Sequence, residues 1–361
     1  MHSLRRRRLL CLLLGTAAAV LCAPRRRVYL TRGSVLPIAN SAGSYLLNAR
    51  DDKAYISVFG LDVATFEKLL NQITPYLPAP SATRRRPHLF SPRLHLAVIM
   101  YYLTVPGRQK SIAIVFGIVP SAVCAAIWSG LRAMRNMMEE DKETWAVRWP
   151  TPARMAQLAT RMAAREPQLA NVIGFVDGLN LRMYQPSCID TQNAYYNGWL
   201  GDTYCSQVFV FLVNGEIGWA SFNNPGSWHD SKIARGLYQV LRDPVRTPSP
   251  YAILADSAFP YGADVANKIL SKPKENIASK EDDIAVLRRW EVITRERQAA
   301  EWGMRALRGA FGRLDLRLPV SDEKRFLILS AIIGLHNFRT RIVGLNQIKQ
   351  VYFPEWQNRS K

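Results

Sequence analysis

Residues 171–183 read NVIGFVDGLNLRM, with apolar Val172, Ile173, Phe175 and Val176 crowded ahead of Asp177. A run that is apolar on both faces predicts a central strand covered on each side, because a half-exposed strand would alternate with polar residues. A carboxylate at the end of such a run is costly to bury unless it holds a cation or shapes a turn. Asp177 is therefore read either as a metal ligand or as the start of an Asp-Gly turn. Taken alone, the turn is the simpler reading.

Downstream, two apolar segments, 205–213 and 217–222, flank Asn214-Gly215-Glu216, the pattern of a hairpin with a tight turn. After PGSWHD at 225–230 comes a helical pattern over 231–241. Residues 251–259, YAILADSAF, then predict a fourth strand carrying Asp256. Residues 294–312 place Ala300, Met304, Leu307 and Phe311 on one helical face with Glu301 beside it. By itself Glu301 reads as a surface partner of Arg297 or Arg305, worth roughly a few tenths of a kcal/mol. A last helix over 323–343 supplies Phe326, Leu329, Ile332, Ile333 and Leu335 to a core, with His336 read as structural. Strand with Asp, two strands, helix, strand with Asp, and a later helix with Glu is the order in which an RNase H-like core assembles three carboxylates.

Upstream, residues 55–77 predict one amphipathic helix with Thr65 as its cap, and the Pro/Ser/Arg-rich stretch 78–87 interrupts the chain. Residues 111–116, the turn Gly117-Ile118-Val119 and residues 120–134 outline a helix-turn-helix. A plain helical hairpin fits nearly as well, since Ala122, Val123, Ala125 and Ala126 offer few groups for reading bases. The expected organisation is a basic and apolar N-terminal segment (1–50), a helical domain with this unit (51–150), a catalytic α/β domain (151–345) and a short tail (346–361).

The 361 residues, 48% hydrophobic, suffice for a sizeable core and exclude a disordered chain. Lys and Arg outnumber Asp and Glu 48 to 28, a formal charge of +20, which favours a polyanionic partner: nucleic acid or an anionic membrane surface. Arg84, Arg85, Arg86, Arg93, Arg108 and Lys110 lie in an acid-free stretch and are the candidate phosphate contacts; a solvated loop is the competing reading. Five cysteines without CxxC spacing fit a reducing compartment and give no zinc pattern. Arg5–Arg8 followed by the apolar stretch 9–23 has the outline of a signal peptide, which would make the protein secreted or membrane-associated. Leu21 suits the expected cut after Ala23 poorly, and Arg25–Arg27 would follow that cut at once.

Through GFVDG, YNGW, PGSWHDS, ILADSAFP, RQAAEWGMRALRGAFGRL and LHNFRTRIVGLNQI, over roughly 175–352, the sequence resembles the PIF/Harbinger transposases. The resemblance implies an RNase H-like core, a mixed sheet flanked by helices, behind an N-terminal helical domain. It carries the catalytic, metal-binding carboxylates onto Asp177, Asp256 and Glu301, and a supporting His-Asp motif onto His229 and Asp230. It further implies two Mg²⁺ or Mn²⁺ ions, DNA substrates in the form of transposon ends and target site, a Myb-like DNA-binding partner protein, self-association and work in the nucleus. On the residues alone, Asp230 reads better as a helix N-cap beside a buried His229.

Overall fold

The computed structural model describes residues 30–78, 90–260, 265, 267–272, 283–342 and 346–353. The apolar stretch 9–23, the triplet Arg84–Arg86, most of the polar segment 271–283 and the end of the tail lie outside the described residues.

The chain begins with helices α1 (Ala42–Ala49), α2 (Asp52–Phe59) and α3 (Val63–Ile73). The single helix expected over 55–77 is thus two. Gly60 takes a left-handed conformation (φ 72°) that ends α2, and the cap of α3 is Asp62, whose carboxylate accepts from the Thr65 N–H at 2.7 Å. Helices α4 (Pro92–Thr104), α5 (Gln109–Phe116), α6 (Pro120–Glu140), α7 (Lys142–Trp145) and α8 (Pro152–Arg165) follow. The axes of α5 and α6 bend by 102°, within the range of a helix-turn-helix. However, Val123, Ala126 and Ile127 of α6 are buried, and Arg32 donates to the Gly117 carbonyl at the turn between the helices. What α6 presents outward near its start is Ser121 and Ala125, a poor set for reading bases.

The sheet is mixed. Its centre is β1 (Val172–Arg182), which pairs antiparallel with β3 (Asp202–Leu212) and parallel with β5 (Ala252–Leu254). β3 also takes β2 (Tyr196–Asn197) and β4 (Ile217–Pro225), both antiparallel, and β6 (Ile269–Leu270) lies parallel on the outside of β5. Val172 to Val176 are all buried, as a strand covered on both faces requires. The β3–β4 hairpin turns through Asn214-Gly215-Glu216, with Gly215 at φ 82° and the Leu212 N–H donating to the Glu216 carbonyl at 2.8 Å. The fourth strand is shorter than expected because Asp256 folds into a turn, its carboxylate accepting from the Ala258 N–H at 2.9 Å.

Helices α9 (Ile189–Tyr195), α10 (Asp230–Ile233), α11 (Arg235–Arg242), α12 (Ile284–Ala310), α13 (Asp322–Ile342) and α14 (Gln347–Tyr352) complete the described chain. α12 buries Val292, Ile293, Glu296, Ala299, Ala300, Gly303, Met304 and Leu307, a seam at spacings of three and four. Gly303 lets this helix approach the sheet: a β-carbon there would fall 2.7 Å from the Phe211 ring. α13 is fastened to the β4 edge by Asn337, whose amide accepts from the Ile217 N–H (2.7 Å) and donates to the Ile217 carbonyl (2.9 Å). Its neighbour His336 is buried, bonds the Gly215 carbonyl at 3.1 Å and is pushed down by burial to a pKa of about 4, a structural residue as its setting in an apolar helix suggests. Trp145 stacks on Phe338 with centroids 4.5 Å apart, so the N-terminal helices and the sheet region share one continuous apolar core.

Candidate functional site

Asp177 lies in the middle of β1, opposite Phe209 of β3, rather than at a strand end. On its other side the parallel ladder to β5 stops at Phe175 and Leu254. Two residues further along each chain stand Asp177 and Asp256, so two carboxylates continue the same register where the backbone bonds between the strands have ceased. Parallel strands that part at their C-terminal ends leave a crevice, and polar residues there meet solvent without breaking the ladder.

A third carboxylate joins them. The N-cap of α10 is His229, without a side-chain cap bond, and Asp230 is the first residue inside the helix. The cap reading of Asp230 therefore fails, and so does the buried reading of His229, which is exposed. The Asp230 carboxylate instead rests against the backbone of β1 at Gly178, where a β-carbon would lie 2.5 Å from its Cγ and 2.7 Å from Oδ1.

The crowding is visible in the ionisation of the group. Burial, with Asp256 and Asp230 nearby, lifts the Asp177 carboxyl to about 6, although the Gly178 N–H, 2.8 Å from Oδ1, and Arg297 favour the charged form. Asp230 is also raised, first by burial and then by Asp256.

Glu301 stands across a cleft of about 490 Å³ whose walls include Asp177, Gly178, Glu301, Arg305 and Arg308. Its side chain is 51% exposed and its Oε1 lies 3.9 Å from Arg297, the ion pair that spacing alone allows. Both readings of Glu301 therefore describe one position: it faces the cleft that contains Asp177 and leans toward Arg297. Among the described residues no three of His, Cys, Asp and Glu sit close enough to enclose an ion with their side chains as they stand. The donors themselves are all hard carboxylate oxygens, the chemistry that suits Mg²⁺ or Mn²⁺. The unfavourable proximity of Asp177 and Asp256 is also the electrostatic condition that a divalent cation relieves.

Other candidates fall elsewhere. Arg93 is engaged by both oxygens of Glu67, one contact at 2.8 Å, and is not a free phosphate contact. Arg108 and Lys110 are exposed. Arg305 and Arg308 stand in the cleft wall, following Glu301 at helical spacings of four and seven and so sharing its face; from spacing alone Arg305 reads only as an ion-pair partner of Glu301, and Arg308 is held by Asp315 at 2.8 Å. The buried acid of α12, Glu296, points away: it accepts from Arg165 (3.1 Å), Arg295 (3.0 Å) and the Tyr352 hydroxyl (2.6 Å) and ties α12 to α8 and α14.

No curated protein and no solved structure matches the chain. Residues 176–337 match the family model described as DDE superfamily endonuclease, so the segment that carries Asp177, Asp230, Asp256 and Glu301 is similar to the endonuclease domains of the DDE superfamily.

Proposed function

We propose that this protein is a metal-dependent DNA endonuclease and strand-transfer enzyme of the PIF/Harbinger transposase type, with Asp177, Asp256 and Glu301 as its catalytic carboxylates. The observation that carries the reading is that Asp177 on β1 and Asp256, in the turn just past β5, each follow the last paired residue of the parallel ladder by two positions and interact by charge, with Glu301 facing Asp177 across one cleft.

In this reading Asp177, Asp256 and, from α12, Glu301 would hold Mg²⁺ or Mn²⁺. Two such ions, when bound, supply the activation of water or a 3′-hydroxyl and the stabilisation of the leaving oxygen in phosphoryl transfer. Asp230, pressed on Gly178, adds a further negative charge beside Asp177 and Asp256. Arg305 presents positive charge along the cleft wall, where a phosphodiester backbone would lie, while Arg308 beside it is paired with Asp315 at 2.8 Å. Arg297, 3.9 Å from Glu301 and favouring the charged form of Asp177, offsets part of the negative charge of these carboxylates. Cleavage and joining make the same demands on these side chains, since both displace one oxygen from phosphorus by another.

The polyanionic partner is thus DNA, as transposon ends and target site. Nuclear work, a Myb-like partner protein and self-association belong to the same proposal through the resemblance. A catalytically silent DNA-binding descendant is the second reading; the retention of all three carboxylates around one crevice favours the enzyme. The test is Mg²⁺-dependent nicking of DNA by the purified chain, with wild type compared with Asp177→Asn. Equal nicking by both, or none by the wild type on DNA carrying the element's own ends, removes the enzyme reading.

A further inference from the structure

Trp199 is 94% exposed, yet the loop that carries it is tightly organised. Asn197 Oδ1 accepts from the backbone N–H groups of Trp199 and Leu200, both at 3.1 Å, and the Gly201 N–H returns to the Asn197 carbonyl at 2.9 Å. Asn197 Nδ2 also donates to the Gly226 carbonyl at 2.9 Å, and the Ser227 N–H bonds the Ala194 carbonyl at 3.3 Å. The Trp199 loop and the 226–229 loop are therefore one connected unit. The second loop holds another tryptophan, Trp228, 36% exposed, with the Lys232 ammonium 3.8 Å from its ring centroid. Two residues later the chain reaches Asp230 and the acidic crevice.

An indole in water gives up the free energy its burial would contribute, and the hydrogen bonds around Asn197 would hold this turn with any side chain at 199. A rigid, solvent-facing aromatic is what a binding surface needs, because little conformational freedom is lost when it is covered. The charge selects the occupant. The chain carries +20, Lys232 stands beside Trp228, and Arg305 lines the cleft that contains Asp177. Aromatic faces interleaved with cations match a strand of unpaired nucleic acid, whose bases stack while its phosphates meet the cations.

We propose that Trp199 is a stacking platform for an unpaired DNA base next to the phosphodiester held at the acidic crevice, with Trp228 and Lys232 continuing the track. This rests on the endonuclease reading for its location but is tested separately. The full chain is titrated, in EDTA, with a duplex bearing a short single-stranded tail that contains 2-aminopurine, and with the same duplex fully paired. Wild type should prefer the tailed duplex and quench the 2-aminopurine. Trp199→Ala should lose about tenfold in affinity for the tailed duplex, the size expected for one stacked base, and lose the quenching. Trp199→Phe should retain most of both. Affinity for the paired duplex and the slope against salt should stay unchanged, since no phosphate contact is removed. Equal affinity of wild type and Trp199→Ala for the tailed duplex overturns the proposal and leaves a protein surface as the occupant; so does a wild type that does not distinguish the two DNAs. The Mg²⁺ nicking assay is run separately on wild type, so failure of the nuclease reading appears there and not in this titration.

Discussion

Gly178 and Asp230 lie so close that a β-carbon at 178 would displace the Asp230 carboxylate, since it would fall 2.5 Å from the Asp230 Cγ and 2.7 Å from Oδ1. Asp230 is brought there by the start of α10, some fifty residues further along the chain, so the fold sacrifices a side chain on its central strand to admit a third carboxylate beside Asp177.

Gly178→Ala should consequently push the Asp230 carboxylate out of place while leaving the sheet paired. Thermal melts with and without Mn²⁺ check this: the variant should keep a cooperative transition, lower by about 1–2 kcal/mol for the strained contact, and should gain much less from the ion than wild type does. A wild-type response to Mn²⁺ would show that Asp230 plays no part in holding it.

The carboxylates of the crevice should respond as a set to amide substitution. Asp177→Asn, Asp256→Asn and Glu301→Gln should each reduce Mg²⁺-dependent cleavage on the order of a hundredfold or more, while circular dichroism and DNA affinity in EDTA stay close to wild type. Glu301 is the most exposed of the three, so a Glu301→Gln variant that cleaves normally would assign that residue to its ion pair with Arg297 alone.

The metal-free protein should be sensitive to pH through Asp177. Its carboxyl, held up to about 6 mainly by burial, favours the protonated form in the fold. The stability this represents is fully present below the ordinary value of 3.8 and is lost as pH rises through about 6. Asp177→Asn should therefore stabilise the metal-free chain near neutral pH by about 2 kcal/mol, at ~1.36 kcal/mol per pKa unit with some discount for solvent, and the gain should shrink toward about pH 4. Binding of Mn²⁺, which needs the charged form, should weaken as pH falls through about 6. Urea melts across this range measure the first effect and calorimetric titration the second.

Glu296 should behave in the opposite manner. Burial works to raise its pKa, but hydrogen bonds from Tyr352, Arg295 and Arg165 outweigh it and hold the group below its usual range. The stability gained is present above the ordinary glutamate value and lost as pH falls through the lowered one. Glu296→Ala should cost about 1–3 kcal/mol, chiefly by leaving the buried Tyr352 hydroxyl without its acceptor, seen in urea melts, yet the cleavage rate per folded molecule should remain within a few-fold of wild type.

Glu296 and Glu301 also illustrate how far a linear reading reaches. Both lie on one helix with arginines nearby, and their five-residue separation turns them onto different faces, since a helix advances about 100° per residue. Periodicity identifies the apolar seam of α12, but it does not say that the sheet contacts the seam while α8 and α14 close over Glu296. The same holds at the other end of the chain, where Gly60 and Asp62 split a helix that hydrophobic spacing alone joins.

What the sequence determined by itself was the class and order of the elements. Continuous apolar character at 172–176 required a strand covered on both faces, Asn214-Gly215 required a tight hairpin, and seams spaced by three and four required helices, because each is a local consequence of backbone geometry and burial. The tertiary structure alone decided which charged groups meet. Asp230 reads locally as a helix cap and lies against Gly178; Glu301 reads locally as half of an ion pair and also faces Asp177; Arg93 reads as a free cation and is held by Glu67. Charge and hydrogen bonding act across space between residues distant in sequence, so their partners are chosen only when strands pair and helices pack.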